Sequence, residues 1–112
     1  MSIYRDGYEH GKLLYAEQPD LNTNAVMDEA LVMSSRLHLP GEQQANYRDG
    51  VFAGYDCEKK RGELAMMQRK LRGREHDENP RDMISKIRIL RAQMYIYEQG
   101  DVKDREKEKE YE

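Results

Sequence analysis

An all-α fold, a small bundle of about four helices with a charged, flexible C-terminal tail, is what this sequence predicts. Three observations carry the expectation. Apolar residues recur at spacings of three and four along most of the chain, the period of a helix face. Prolines stand at 19, 40 and 80 and divide the chain into segments of helical length. A short device occurs twice, as Tyr4-Arg5-Asp6-Gly7 with Gly11 four residues on, and as Tyr47-Arg48-Asp49-Gly50 with Gly54 four residues on. Two copies of one device imply two helices that use it.

Ser2 is a natural N-cap for a first helix that runs to about Gln18, where Pro19 and Asp20 stop it. Its apolar face is Tyr4, Tyr8, Gly11, Leu14 and Tyr15. A second helix begins near Asn22 to Asn24 and ends before Pro40-Gly41, with Val26, Ala30, Met33 and Leu37 on one side and Asp28 and Glu29 complementing the dipole in its early turns. The third starts just after Gly41 and reaches Leu71, a length of roughly 45 Å. Its apolar face changes register: Tyr47, Gly50, Val51 and Gly54 share one side, whereas Cys57, Leu64, Met67 and Leu71 lie about 100° round the wheel. Gly62 stands at the change and marks a place for a kink or break.

Residues 73 to 79 are polar throughout and read as a loop. Asn79-Pro80 then opens a fourth helix, with Asn at the N-cap, Pro at the first position, Asp82 in the first turn and Gly100 just past the end. Met83, Ile87, Leu90, Met94 and Tyr97 follow the seam of a helix pair. Ile89, Ala92 and Ile96 form a second stripe nearly opposite. A helix apolar on two sides is covered on two sides, so this one is either the centre of the bundle or gives a face to a homodimer. From Asp101 onward one residue, Val102, is aliphatic, and no core can form there. The expected organisation is a single helical domain over 1–100 and a charged tail over 101–112, frayed helix or disordered.

Glycine inside a helix costs about 1 kcal/mol relative to alanine, so Gly7, Gly11, Gly50 and Gly54 need a return. Residues four apart share a face, and each pair makes a flat notch where another backbone can approach, edged by Tyr4 and Tyr47. Close helix packing at these six residues is the expected use. The small-xxx-small device is best attested between membrane helices, but the Arg, Asp, Glu and His flanking these pairs exclude a membrane span.

Leu, Ile, Val and Phe make up 19 of the 112 residues, a thin core for one domain. Eight Tyr and seven Met, suited to interfaces as well as interiors, are more than so small a core is expected to hide. A monomer of this composition is marginal, which adds a second reason to expect a homodimer. Cys57 is the single cysteine, so no intramolecular disulfide forms, in keeping with a reducing compartment. No apolar run has the length of a membrane span, and the expectation is a soluble cytoplasmic protein.

Charge is unevenly spread, with nets of −6 over 1–58, +6 over 59–91 and −3 over 92–112. The basic residues Lys59, Lys60, Arg61, Arg69, Lys70, Arg72, Arg74, Arg81, Arg88 and Arg91 are the candidate partner-binding set; the competing use for them is pairing with the acidic N-terminal half, within the fold or across a dimer. His10, His38 and His76 are not at metal-ligand spacing. Glu75, His76, Asp77 and Glu78 read as a solvated loop, and no phosphate loop, nucleophile elbow or zinc-protease motif is present. No enzyme, cofactor or metal is expected.

Two binding readings remain. In the first the protein docks another protein through exposed Tyr, Met and Arg, as a small inhibitor or regulator of the kind a phage or mobile element directs at host machinery. In the alternative the stretch 59–91 binds nucleic acid through phosphates; the acidic chain, with pI ≈ 5.7, argues against it. Gly50-Val51-Phe52-Ala53-Gly54, and more loosely Gly7-Tyr8-Glu9-His10-Gly11, resemble the glycine-and-aromatic helix of ribosome modulation factor over about a dozen residues. Ribosome association, which that resemblance implies, is not carried over to these residues and stands only within the alternative reading.

Overall fold

The computed structural model describes residues 2–73 and 79–110, those beyond 100 through the backbone alone. They form α1 (Ile3–Glu17), α2 (Thr23–Arg36), α3 (Gly41–Arg72) and α4 (Pro80–Glu110), an all-α bundle. Local chemistry sets the helix starts. Ser2 Oγ accepts from the Arg5 amide at 3.0 Å, Asn22 Oδ1 from the Ala25 amide at 2.8 Å, and Asn79 Oδ1 from the Arg81 amide at 2.9 Å, each satisfying a donor the first turn leaves open. α2 ends where His38 turns left-handed at φ 53° and sends the chain into Pro40 and α3. No described helix is long and apolar enough to cross a membrane.

α3 is the centre of the bundle: it touches α1, α2 and α4, and of the remaining pairs α1 touches α4. The expectation that the fourth helix could be central is thereby corrected. α4 buries one face, Met83, Ile87 and Leu90, while Ile89, Ala92 and Ile96 stay exposed. α3 also runs through Gly62 without a break. The register change there has another cause: α1 covers the N-terminal half of α3 and gives out beside Gly62, where Tyr15 Oη lies 3.8 Å from the position of a Cβ, and α4 covers the half beyond.

α4 likewise does not stop at Gly100 but continues to Glu110. Among the described residues no glycine has a positive φ, so Gly100 is not the left-handed cap that ends a helix. It makes room for a ring. A Cβ there would lie 2.6 Å from Cζ of Tyr4 and 2.7 Å from its hydroxyl.

The core has two parts. Leu14, Val26, Ala30, Tyr47, Val51 and Tyr55 pack between α1, α2 and α3, and Tyr4, Tyr8, Ala53 and Cys57 pack with Met94 and Tyr97 between α1, α3 and α4. Tyrosine supplies what aliphatic residues do not, and its hydroxyls tie the elements together. Tyr55 donates to the Gln18 carbonyl at 2.6 Å and accepts from the Leu21 amide at 2.9 Å, holding the α1–α2 turn. Tyr4 donates to the Tyr97 carbonyl at 2.7 Å.

The molecule measures 54 × 28 × 19 Å with a radius of gyration of 16.4 Å, against about 13 Å for a compact domain of this length. The elongation follows from helix lengths. α1 has 15 residues and α3 has 32, so the last part of α3 and the first part of α4 extend past α1 as a two-helix arm.

Candidate functional site

The residues expected to pack closely, Tyr4, Gly7, Gly11, Tyr47, Gly50 and Gly54, meet at the crossing of α1 and α3. A Cβ on Gly7 would overlap the Tyr47 carbonyl oxygen, and one on Gly11 the Val51 carbonyl oxygen. Reciprocally, one on Gly50 would overlap the Tyr4 carbonyl oxygen and one on Gly54 that of Tyr8. Backbone meets backbone here: the Tyr55 amide nitrogen lies 2.8 Å from the Cβ position of Gly11, and the Tyr8 amide nitrogen 2.9 Å from that of Gly50.

Two consequences follow from these pairings. Rising residue numbers pair with rising residue numbers, so α1 and α3 run parallel, with α2 as the return. The contacts also interchange when each α1 position is replaced by the α3 position 43 residues on, so the repeated motif makes a local pseudo-twofold crossing. Each glycine directs a Cα–H toward a carbonyl of the facing helix, a weak bond worth about 0.5–1 kcal/mol.

Around this crossing lie titratable groups held by packing. The Tyr8 hydroxyl is buried, has no hydrogen-bond partner among the described residues and faces the fully buried thiol of Cys57; burial and that thiol raise its pKa. Tyr97 donates to the Asp56 carboxylate, which also holds Lys60 at 2.9 Å, and burial and that hydrogen bond raise the Tyr97 pKa. The Tyr47 hydroxyl meets His10 Nδ1, and burial raises its pKa as well. Tyr4, Tyr8, Tyr47, Tyr55 and Met83 are buried, Tyr15 and Tyr97 are half-buried, and Tyr95 and Met66 stay exposed, so the core takes in part of the tyrosine and methionine complement and leaves the rest at the surface.

The basic set divides. Lys60 and Arg61 are held at the base of the arm, Lys60 by Asp56 and Arg61 by Glu58 at 3.9 Å, and Glu58 in turn reaches Lys12 of α1 at 3.9 Å. For these two, pairing with the acidic half inside the fold is what the structure has. Lys59, Arg69, Lys70, Arg72, Arg81, Arg88 and Arg91 are exposed and make no ion pair among the described residues. Arg74 and the acidic residues 75, 77 and 78 lie outside the described residues.

The arm brings together Arg72 from α3 with Arg88 and Arg91 from α4. They border an open groove whose remaining lining is Gln68, Leu71, Ile84 and Ile87, so guanidinium groups rim an apolar floor. Lys59 stands apart, roughly 20 Å down α3 from Arg72 by helical rise.

A second concavity was not foreseen. Between α2, α3 and α4, which leave a gap because α2 and α4 do not pack, Met27, Asp49, Phe52 and Tyr97 line an apolar cleft. Its signal in the sequence is faint: Phe52, the single phenylalanine, lies off the glycine face, where a surface position would otherwise be polar.

Among the described residues no cluster of His, Cys, Asp and Glu is arranged to hold a metal ion. Comparison with family models, curated proteins and solved structures finds no match to this chain.

Proposed function

We propose that this chain is a non-enzymatic binding protein that docks another protein through the two-helix arm, as a small inhibitor or regulator. One observation supports it above the rest: Arg72, Arg88 and Arg91, from two helices and without an ion pair among the described residues, surround the Leu71, Ile84 and Ile87 floor. Arginine presents a planar fork that pairs bidentately with carboxylates and keeps a weakly hydrated face for apolar contact, which is why it recurs at binding hot spots. The partner that fits is an acidic protein surface carrying an apolar side chain to fill the floor. The arm carries these groups on two long helices, so little ordering is needed on binding. The reading assigns no catalytic residue, cofactor or metal.

The alternative, a nucleic acid or the ribosome, draws on the same cations, but an apolar floor between them has no use against a phosphate backbone. Affinity capture from the native cell separates the two, with and without nuclease, using the parent and an Arg72→Glu/Arg88→Glu/Arg91→Glu variant. A protein retained through nuclease treatment and lost with the variant supports docking. Loss on nuclease treatment favours the alternative. A partner retained by the variant means the arm is a solvated face.

A further inference from the structure

The apolar stripe of α4 that α3 leaves uncovered is the strongest unclaimed surface. Ile89 is 56% exposed and Ile96 66% exposed, and with Ala92 they lie opposite the buried Met83, Ile87 and Leu90 at 100° per residue. The stripe is separate from the arginine-rimmed groove, which lies on the flank of α4 toward α3.

Two features on the same helix say what fits there. The stripe reads almost the same in both directions, with Ile89 three residues before Ala92 and Ile96 four after. A second α4 laid end for end therefore sets Ile89 against the partner subunit's Ile96 and brings the small Ala92 side chains near the centre, where helices can approach closely.

Charge is also polarised along the helix. Residues 80–91 hold Arg81, Lys86, Arg88 and Arg91 against the single Asp82, whereas residues 92–100 hold Glu98 as their one charge. Parallel pairing would set the basic half against its copy. Antiparallel pairing sets Lys86 and Arg88 of one helix beside Glu98 of the other, and complementary potentials of this kind fix orientation.

We propose that the chain forms a twofold antiparallel homodimer through the Ile89, Ala92 and Ile96 face of α4. A twofold interface is self-complementary, which is what a near-palindromic stripe flanked by opposed charges provides. The contact is short, so association falls at the weak end of specific interfaces, with a Kd in the micromolar range. Its apolar contact lies on the face of α4 away from the groove, while Arg88 and Arg91 enter both the charge pattern and the groove.

Sedimentation equilibrium tests it first. At up to about 100 µM, well above such a Kd, the parent approaches twice the 13.3 kDa chain mass. Ile89→Glu and Ile96→Glu, at exposed positions, stay at 13.3 kDa with unchanged helicity. Cysteine cross-linking then fixes the direction, with Cys57 left in place because it is fully buried. Ile89→Cys and Ile96→Cys proteins should cross-link when mixed but not singly, since the antiparallel register separates the two copies of position 89 by about 10 Å of helix axis, beyond disulfide reach. A parent that stays at 13.3 kDa, a dimer that survives both glutamate variants, or cross-linking of Ile89→Cys to itself each overturns the proposal.

Discussion

α3 serves two regions with opposite chemistry. Its first half crosses α1 backbone to backbone, with Gly50, Val51, Gly54 and Cys57 buried and no space for a further methyl group. Its second half carries Arg69, Lys70 and Arg72 exposed, over Leu64, Met67 and Leu71 that are partly covered. The difference shows how a chain poor in aliphatic residues can still present a charged working surface. Stability is concentrated where glycine lets two helices approach and where tyrosine hydroxyls tie three elements together. The other end needs only the Met83, Ile87 and Leu90 seam to hold its two helices together.

The largest expected effect comes from filling the crossing. Gly54→Leu sets side-chain atoms against the Tyr8 backbone, and since backbone cannot swing aside the loss should reach about 3 kcal/mol or more, a fall in melting temperature of at least about 10 °C. The matched change in the arm has the opposite sign. At Gly62 a Cβ meets, among the described residues, only Tyr15 Oη at 3.8 Å, so Gly62→Ala should stabilise by about 0.5–1 kcal/mol through helix propensity. Equal melting temperatures for the two variants would erase the contrast.

Next in size is Tyr97→Phe, which removes the hydrogen bond to Asp56 where α4 docks on α3. A bond to a charged acceptor is worth about 1.5–3 kcal/mol, and Lys60 remains to hold the carboxylate, so the lower end is expected in a denaturant titration.

Tyr8→Phe should cost little or stabilise by up to about 1 kcal/mol, because the hydroxyl it removes is buried without a hydrogen-bond partner among the described residues. The same residue sets a pH dependence. Burial, with smaller contributions from neighbouring groups, raises the Tyr8 and Tyr97 pKa values above the ordinary 10.0. Unfolded tyrosines therefore ionise first, and stability is full below pH 10.0 and falls as pH rises beyond it. Tyr8→Phe should make that alkaline fall shallower, measured as unfolding free energy from pH 9 to pH 12.

Smallest of all should be the effect on stability of Arg72→Glu, Arg88→Glu and Arg91→Glu, each within about 0.5 kcal/mol since these side chains are exposed and unpaired among the described residues. A larger loss would mean that the arm's arginines hold the fold together.

Much of this was legible in the residues. Ser2, Asn22 and Asn79 mark helix starts by chemistry that acts within a few positions. The paired glycines are legible because two copies of one costly device require one common benefit. What could not be read is what lies across from a residue. Gly54, Gly62 and Gly100 are alike in sequence, yet one faces a backbone, one nearly open space and one an aromatic ring. For the same reason the two-sided pattern of α4 suggested a central helix, whereas position decides the matter: α3 alone touches all the others. The cleft beside Phe52 arises from helices that fail to touch, and no residue pattern encodes a gap.

Site-resolved hydrogen exchange along α3 tests most directly that cohesion sits at the glycine crossing and the arm is left free. The amides from 47 to 57, beneath α1, should exchange only on global unfolding, whereas those from 64 to 72 should open locally and lose protection by at least about tenfold. Uniform protection along the whole of α3, or stronger protection in the arm than at the crossing, would contradict the account.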